Sequence, residues 1–287
     1  MLRYAVASIA LTLAALSMPS SLWAQESPEV RRRKAHEFHL RAQERTGVIV
    51  PMYVYPANVH ANPHFQRLIE TKRRYETVPF WVIVNPASGP GERTNDNYVK
   101  AIDRLRGAGC VVLGYVSTSY GKRPAAEVKA DLDRWLKMYP RIQGTFFDEM
   151  RYDDTAAGAA HQASLNQYAH DAGLWPTVGN PGADTPGRYF AAGAADVILI
   201  HEGDAWPKEE RLKGDYYGGY SDYPPFTRGI LLHSQPKLDL AALQTARKYV
   251  RWVYVTEAPY RANDPQAANP WDRLSKHLEA TCEQLSK

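Results

Sequence analysis

Apolar runs and helical patterns alternate eight times along this chain, starting at Gly47. "GVIVPMYVYP" (47–56) is β-branched and aromatic and precedes a helical pattern over about 63–76. The later strand candidates are "PFWVIVNP" (79–86), "CVVLGYVST" (110–118), "GTFFDEM" (144–150), "LWPTVGNPG" (174–182), "VILIHEGD" (197–204), "TRGILLHS" (227–234) and "RWVYVTE" (251–257). Between them the spacing predicts helices over about 94–107, 125–138, 155–172, 185–193 and 240–248, and from 270 to the C-terminus. A long aromatic loop follows 204 instead of a helix. The strands are continuous apolar runs rather than alternations, as in a sheet covered on both faces. Alternating strands and helices imply right-handed crossovers and a parallel sheet. Eight units in this length predict one α/β domain, a closed (β/α)8 TIM barrel over 47–287. An open dinucleotide-binding sheet has no support, because no GxGxxG follows the first strand.

In such a barrel the βα loops at the C-terminal strand ends build the functional face. Here those ends carry Tyr53 and Tyr55, Asn85, Ser117 and Thr118, Asp148 and Glu149, Asn180, His201, Glu202 and Asp204, His233 and Ser234, and Thr256 and Glu257. The strand starts are mostly Gly, Val, Cys, Phe and Leu. Successive residues of a regular strand face opposite sides, so Asp148 and Glu149 cannot both point into the lumen. One is expected to line the cleft and the other to lean on a neighbouring strand or loop. Glu202 ends strand six and is expected to face them across the mouth, with His201 turned the other way. Two carboxylates across a cleft are what glycosidic cleavage needs: one protonates the departing oxygen, the other attacks or stabilises an oxocarbenium-like centre. Taken singly, each acid is as readily a salt-bridge partner; taken together, they mark a candidate catalytic set.

Sugar rings present C–H faces on which aromatic side chains stack. The loop after strand six contributes Trp206, Tyr217 and Tyr220 as candidate substrate contacts, and the strand ends contribute Tyr53, Asn85, Asn180 and His233. Trp81 and Trp252 lie within strands and read as core.

Residues 1–24 hold one arginine, an apolar run from Ala5 to Met18 and small or polar residues up to Ala24. That is the layout of a secretory signal, with an apolar run too short for a span, so a secreted or periplasmic protein is expected. Residues 25–46 form an N-terminal segment, and no later stretch is long and apolar enough to cross a bilayer. Without the leader, 34 Lys and Arg face 31 Asp and Glu, a balance too even for nucleic-acid binding. The run Arg31 to Lys34 reads as a solvated surface. No cofactor or metal is expected: HExxH and a GxSxG nucleophile elbow are both missing, and the His and Cys spacings form no ligand set. Whether Cys110 and Cys282 pair stays open, and nothing in the sequence specifies an oligomeric state.

The ordered stretches "GVIVPMYVYP", "VNPASGPG", "VLGYVSTSYGKR", "GTFFDE" and "NPWDRLSKH" resemble the spherulation-specific (spherulin-like) family 4, and in particular glycoside hydrolase family 135. The resemblance implies an endo-α-1,4-N-acetylgalactosaminidase acting on galactosaminogalactan or a related biofilm exopolysaccharide. The substrate partner would then contain N-acetylgalactosamine or galactosamine. It maps the family's strand-four acid pair onto Asp148 and Glu149 and its strand-six acid onto Glu202. Asp148 is then nucleophile or charge stabiliser, Glu202 general acid/base, and Glu149 an orienting group or an amine ligand. Retention of configuration is implied by the resemblance alone. Ser88 stands where the family has Asn, His201 where an aromatic is usual, and the loop after strand six matches least. Two alternatives stay open: a substrate-assisted hydrolase, and a non-catalytic carbohydrate-binding or spore-coat-like protein on the same barrel.

Overall fold

A computed structural model describes residues 45–214 and 221–287. The leader (1–24), most of the N-terminal segment, Tyr217 and Tyr220 lie outside the described residues. Eight parallel strands close into a barrel in chain order: β1 Gly47–Met52, β2 Phe80–Val84, β3 Val111–Ser117, β4 Gly144–Asp148, β5 Thr177–Asn180, β6 Val197–Gly203, β7 Arg228–Leu232 and β8 Trp252–Val255. The ring is shut by Gly47 and Val48 pairing with Trp252 and Val253. A helix follows each strand: α1 Pro63–Arg74, α2 Asp96–Gly107, α3 Ala125–Met138, α4 Ala156–Asp171, α5 Gly187–Ala191, α6 Glu209–Lys213, α7 Leu240–Ala246 and α8 Leu278–Leu285. This is the predicted single-domain TIM barrel. Helix starts follow local chemistry: the side chains of Asn62, Asn95, Thr155 and Asp239 accept from the first free N–H groups of α1, α2, α4 and α7.

Two expectations are corrected. The segment after β6 is not one loop, because it contains α6. Glu209 and Glu210 sit in its first turn, Arg211 and Lys213 in its last, and Gly214 caps it with φ +88°. Charges complementing the helix dipole and a left-handed glycine cap explain this turn among aromatic and Pro-rich neighbours. The last helix starts at Leu278, not near 270. Between 271 and 277 the backbone N–H groups are taken by other acceptors. Trp271 donates to Asn269, Leu274 to His64, Ser275 to the Tyr254 hydroxyl, Lys276 to Glu257 and His277 to Ser275. Those bonds replace the i→i−4 ladder a helix would need.

The strands are buried along their length and lose burial only at their C-terminal ends, at Ser117, Asp148 and His201 to Gly203. At the other end Trp81 stacks on Trp252, ring centroids 3.4 Å apart. Gly229 makes room beside them, since a Cβ there would lie 2.9 Å from Trp252 Cβ and 2.7 Å from Leu199. The floor is therefore packed hydrocarbon, and the polar chemistry collects at the mouth. Cys110 and Cys282 are both buried free thiols. Among the described residues no helix is long and apolar enough to cross a membrane.

Candidate active site

Strand register decides which side chains enter the barrel. Ser117, Asp148 and Asn180 lie side by side on β3, β4 and β5. Inward residues are shared across paired positions, so Tyr115, Phe146 and Val178 form the layer beneath. Strand β6 needs a correction to join them. Leu199 pairs with Gly229 in the interior, so a regular strand would next turn His201 inward and Glu202 out. A bulge between Leu199 and His201 shifts the register, and Glu202 then pairs with Leu231, the next interior position of β7. The extra residue re-aims Glu202 into the mouth.

Asn180 joins the two acids. Its side-chain amide donates to Asp148 Oδ1 at 2.8 Å and to Glu202 Oε2 at 2.7 Å. Both bonds leave one nitrogen, so those two oxygens can be no more than 5.5 Å apart. Asp148 Oδ2 accepts from the Tyr115 hydroxyl at 2.8 Å, and the adjacent Glu149 backbone N–H favours its ionised form. The Trp271 indole N–H lies near enough to Glu202 to favour its ionised form.

Burial pushes both carboxyls up. For Asp148 it is opposed by the donors Tyr115, Glu149 N–H and Asn180, and the Glu149 charge adds a smaller upward push. For Glu202 it is opposed only by Asn180 and Trp271, while the Asp148 charge adds to it, and the carboxyl is pushed up to about 7. The pair thus has one member better held as an anion and one poised to carry a proton near neutrality. Burial and then the Asp148 charge raise the Tyr53 and Tyr115 hydroxyls as well, so both stay protonated donors.

Glu149 solves the parity problem by leaving the strand. Its φ of +52° turns it out of the β4 ladder, and its carboxylate accepts from Ser117 Oγ at 2.6 Å. The turn is pinned on both sides: Thr118 and Tyr120 N–H donate to the Asp148 and Glu149 carbonyls, and Met150 N–H to the Asn180 carbonyl. Every described non-glycine residue with positive φ (Asn58, Ser88, Ser119, Tyr120, Glu149 and Ser234) sits in a βα loop. Backbone strain of about 1–3 kcal/mol per such residue is therefore concentrated on the mouth face.

The other acids of "DEMRYDD" are engaged elsewhere. Asp153 pairs with Arg151 and accepts from Thr155 and Tyr189, which holds its carboxyl far below the usual range. Asp154 pairs with Arg188. Glu257 is tied to the backbone of Lys276.

The remaining candidates divide. Tyr53 packs edge-on against Tyr115 at 5.8 Å, and its N–H donates to the Trp271 carbonyl, so it walls the acid pair. His233 lies 6.2 Å from the Trp271 ring and is held by Ser234; burial lowers its pKa. Asn85 uses its side-chain oxygen to close its own loop, accepting from Gly89 N–H at 3.0 Å. Trp206 lines a cleft of about 560 Å³ with His201, Pro207 and Lys208, on the face of β6 opposite to Glu202. It is not brought to the acid pair. Tyr115 and Trp271 adjoin the acids without having been named from the sequence, and Ser117, named only as a strand-end residue, bonds Glu149. The parity of β3 points to Tyr115, two residues before Ser117. Trp271 belongs to the quoted stretch NPWDRLSKH, but no strand period points to it, since it arrives from the irregular segment before α8. No group of three His, Cys, Asp or Glu among the described residues is placed to hold a metal.

Fold and site together define a (β/α)8 barrel with a bridged carboxylate pair and a third acid at its mouth. Within that class the chain belongs to spherulation-specific family 4, whose pattern matches residues 47–285. It is 31% identical over 181 residues to Spherulin-4 of Physarum polycephalum, a stretch that is 61% of this chain and 49% of that protein. The chain thus spans about half the length of that relative. The fold is similar to that of Aspergillus clavatus Sph3, solved in complex with GalNAc, with TM-score 0.69, 23% identity, and 85% of this chain and 98% of that one covered. It is also similar to a GH2 β-galacturonidase from Eisenbergiella tayi bound to galacturonate, with TM-score 0.51, 12% identity, and 84% and 51% covered. At those identities the likeness is one of fold.

Proposed function

We propose that this protein is an exported glycoside hydrolase that cleaves internal linkages of an amino-sugar polysaccharide. The observation that carries the reading is the shared Asn180 amide, which holds Asp148 and Glu202 within 5.5 Å. Retaining glycosidases separate their carboxyls by about 5–5.5 Å, whereas inverting ones leave about 6.5–9.5 Å for a water. In this mechanism Asp148 attacks the anomeric carbon while Glu202 gives its proton to the glycosidic oxygen, and the C–O bond breaks to release one chain end as an alcohol. Glu202, now ionised, takes a proton from water, whose oxygen attacks the same carbon and frees Asp148. Tyr115 and Asn180 orient and stabilise Asp148, and Glu149 lies at the rim as a ligand for a sugar amine. Family membership and the GalNAc bound by Sph3 support an amino sugar of the galactosamine type as substrate. A partly de-N-acetylated galactosamine polymer is the first substrate to try. Export rests on the leader pattern of residues 1–24.

The test is release of reducing ends from purified α-1,4-linked galactosamine polymer by wild type, Asp148→Asn and Glu202→Gln, with circular dichroism as the folding control. Each variant is expected to lose at least about a hundredfold in kcat. Near-normal turnover by both would remove the assignment.

A further inference from the structure

Five large hydrophobic side chains are exposed among the described residues, and four of them are tyrosines in βα loops: Tyr55, Tyr120, Tyr152 and Tyr260. The fifth, Leu240, begins α7. Tyr55 is tied down through its hydroxyl by Asn95 and Asn97. The other three fall in two groups, each packed against one neighbouring ring.

Tyr120 follows β3 and Tyr152 follows β4. They meet edge to face at 6.2 Å and line an open cleft of about 650 Å³. Tyr120 is held there at a backbone cost. It and Ser119 have φ of +55° and +47°, and its N–H donates to the Glu149 carbonyl at 2.6 Å. Tyr260 follows β8. It leans on His233, after β7, with centroids 5.4 Å apart, and its N–H donates to Ser234 Oγ at 3.1 Å. His233 in turn adjoins Trp271, which lies near Glu202.

In a closed ring of eight strands in chain order, β3 and β4 stand opposite β7 and β8. One aromatic group therefore borders the Glu149 side of the carboxylates, and the other borders the Glu202 side. We infer that Tyr120–Tyr152 and Tyr260–His233 are two sugar-binding platforms on opposite sides of the cleavage point, so that a polysaccharide lies across the barrel mouth. The occupant is the polymer of the proposed reaction, with pyranose rings stacked by their C–H faces on the tyrosines. Exposed, fixed aromatic faces at both ends of the path suit a chain that enters on one side and leaves on the other. A pocket closed at one end would bind only a chain terminus. The inference rests on the hydrolase reading for the identity of the ligand.

The experiment uses the full chain carrying Tyr120→Ala with Tyr152→Ala, Tyr260→Ala, and all three together. Kinetics on α-1,4-linked galactosamine polymer are compared with those on a trisaccharide of the same sugar. Polymer kcat/KM is expected to fall about tenfold for each platform and about a hundredfold for both, as for sites that share no contact. The fall should lie mainly in KM and be much smaller on the trisaccharide. Tyr120→Phe and Tyr260→Phe, which keep the ring, should restore most of the loss. Equal losses on polymer and trisaccharide, or no loss on polymer, would overturn the platforms. Affinity electrophoresis in gels containing the polymer separates this from the catalytic claim. If wild type binds without releasing reducing ends, the hydrolase reading fails. The platforms then stand only if the alanine variants lose retardation, and fall if they keep it.

Discussion

Removing the Asn180 side chain tests the acid pair through its shared donor. In Asn180→Ala each carboxylate loses one charge-assisted hydrogen bond, worth about 1.5–3 kcal/mol. Two ionised carboxylates whose facing oxygens lie 5.5 Å apart or less repel by at least about 3 kcal/mol at an effective dielectric constant of about 20. The native amide counters that repulsion. Loss of a donor to an anion raises the pKa of that anion, at about 1.4 kcal/mol per pH unit. Glu202, already near 7, should therefore titrate at least about one unit higher, and Asp148 should move in the same direction. Both limbs of the kcat/KM profile against pH are then expected to move to alkaline pH, so the variant loses far more activity at pH 5 than at pH 8. The assay is reducing-end release across pH 4–10, with thermal melts confirming the fold. An evenly depressed profile with unmoved limbs, or a shift toward acid, would refute the claim that Asn180 tunes the pair.

Other consequences concern stability and the Asp148 donor. The Glu202 carboxyl is raised from 4.5 to about 7, so its contribution to stability is fully present below about pH 4.5 and lost as pH rises through about 7. Glu202→Gln removes that loss and should raise Tm by several degrees at pH 8, corresponding to about 3 kcal/mol, with little change near pH 4. An equal gain at both pH values would contradict the sign. Tyr115→Phe deletes the hydroxyl that donates to Asp148 and is expected to lower kcat/KM about ten- to a hundredfold, moving the acid limb upward, with Tm little changed. Unaltered kinetics would show that this bond does not support the reaction.

The barrel was legible because its strands are continuous apolar runs that end abruptly in polar residues, and that boundary marks the mouth. Asp148, Glu149 and Glu202 could be found for the same reason. Their orientations could not all be read. A two-residue period admits only one of Asp148 and Glu149 to the lumen without saying which, and only the bulge after Leu199 aims Glu202 inward; a bulge leaves no trace in an apolar run. The left-handed turn at Glu149 is equally silent, since glutamate is an ordinary residue in an extraordinary conformation there. Trp271 was hidden by tertiary competition: its segment reads as helix, but its N–H groups find partners on α1, β8 and nearby side chains. Trp206 misled in the other direction, because an aromatic residue beside a strand end can fold behind the strand as easily as over the mouth.

The most direct test of the account is to ask which carboxylate becomes glycosylated. Glu202→Gln, incubated with an activated 2-deoxy-2-fluoro glycoside of the galactose series whose leaving group needs no proton, should accumulate a covalent adduct. Peptide mass spectrometry is predicted to place it on Asp148, with none on the Asp148→Asn variant. A label on Glu149, or turnover of the activated substrate with no adduct on the protein, would contradict the central claim that Asp148 attacks while Glu202 manages the proton.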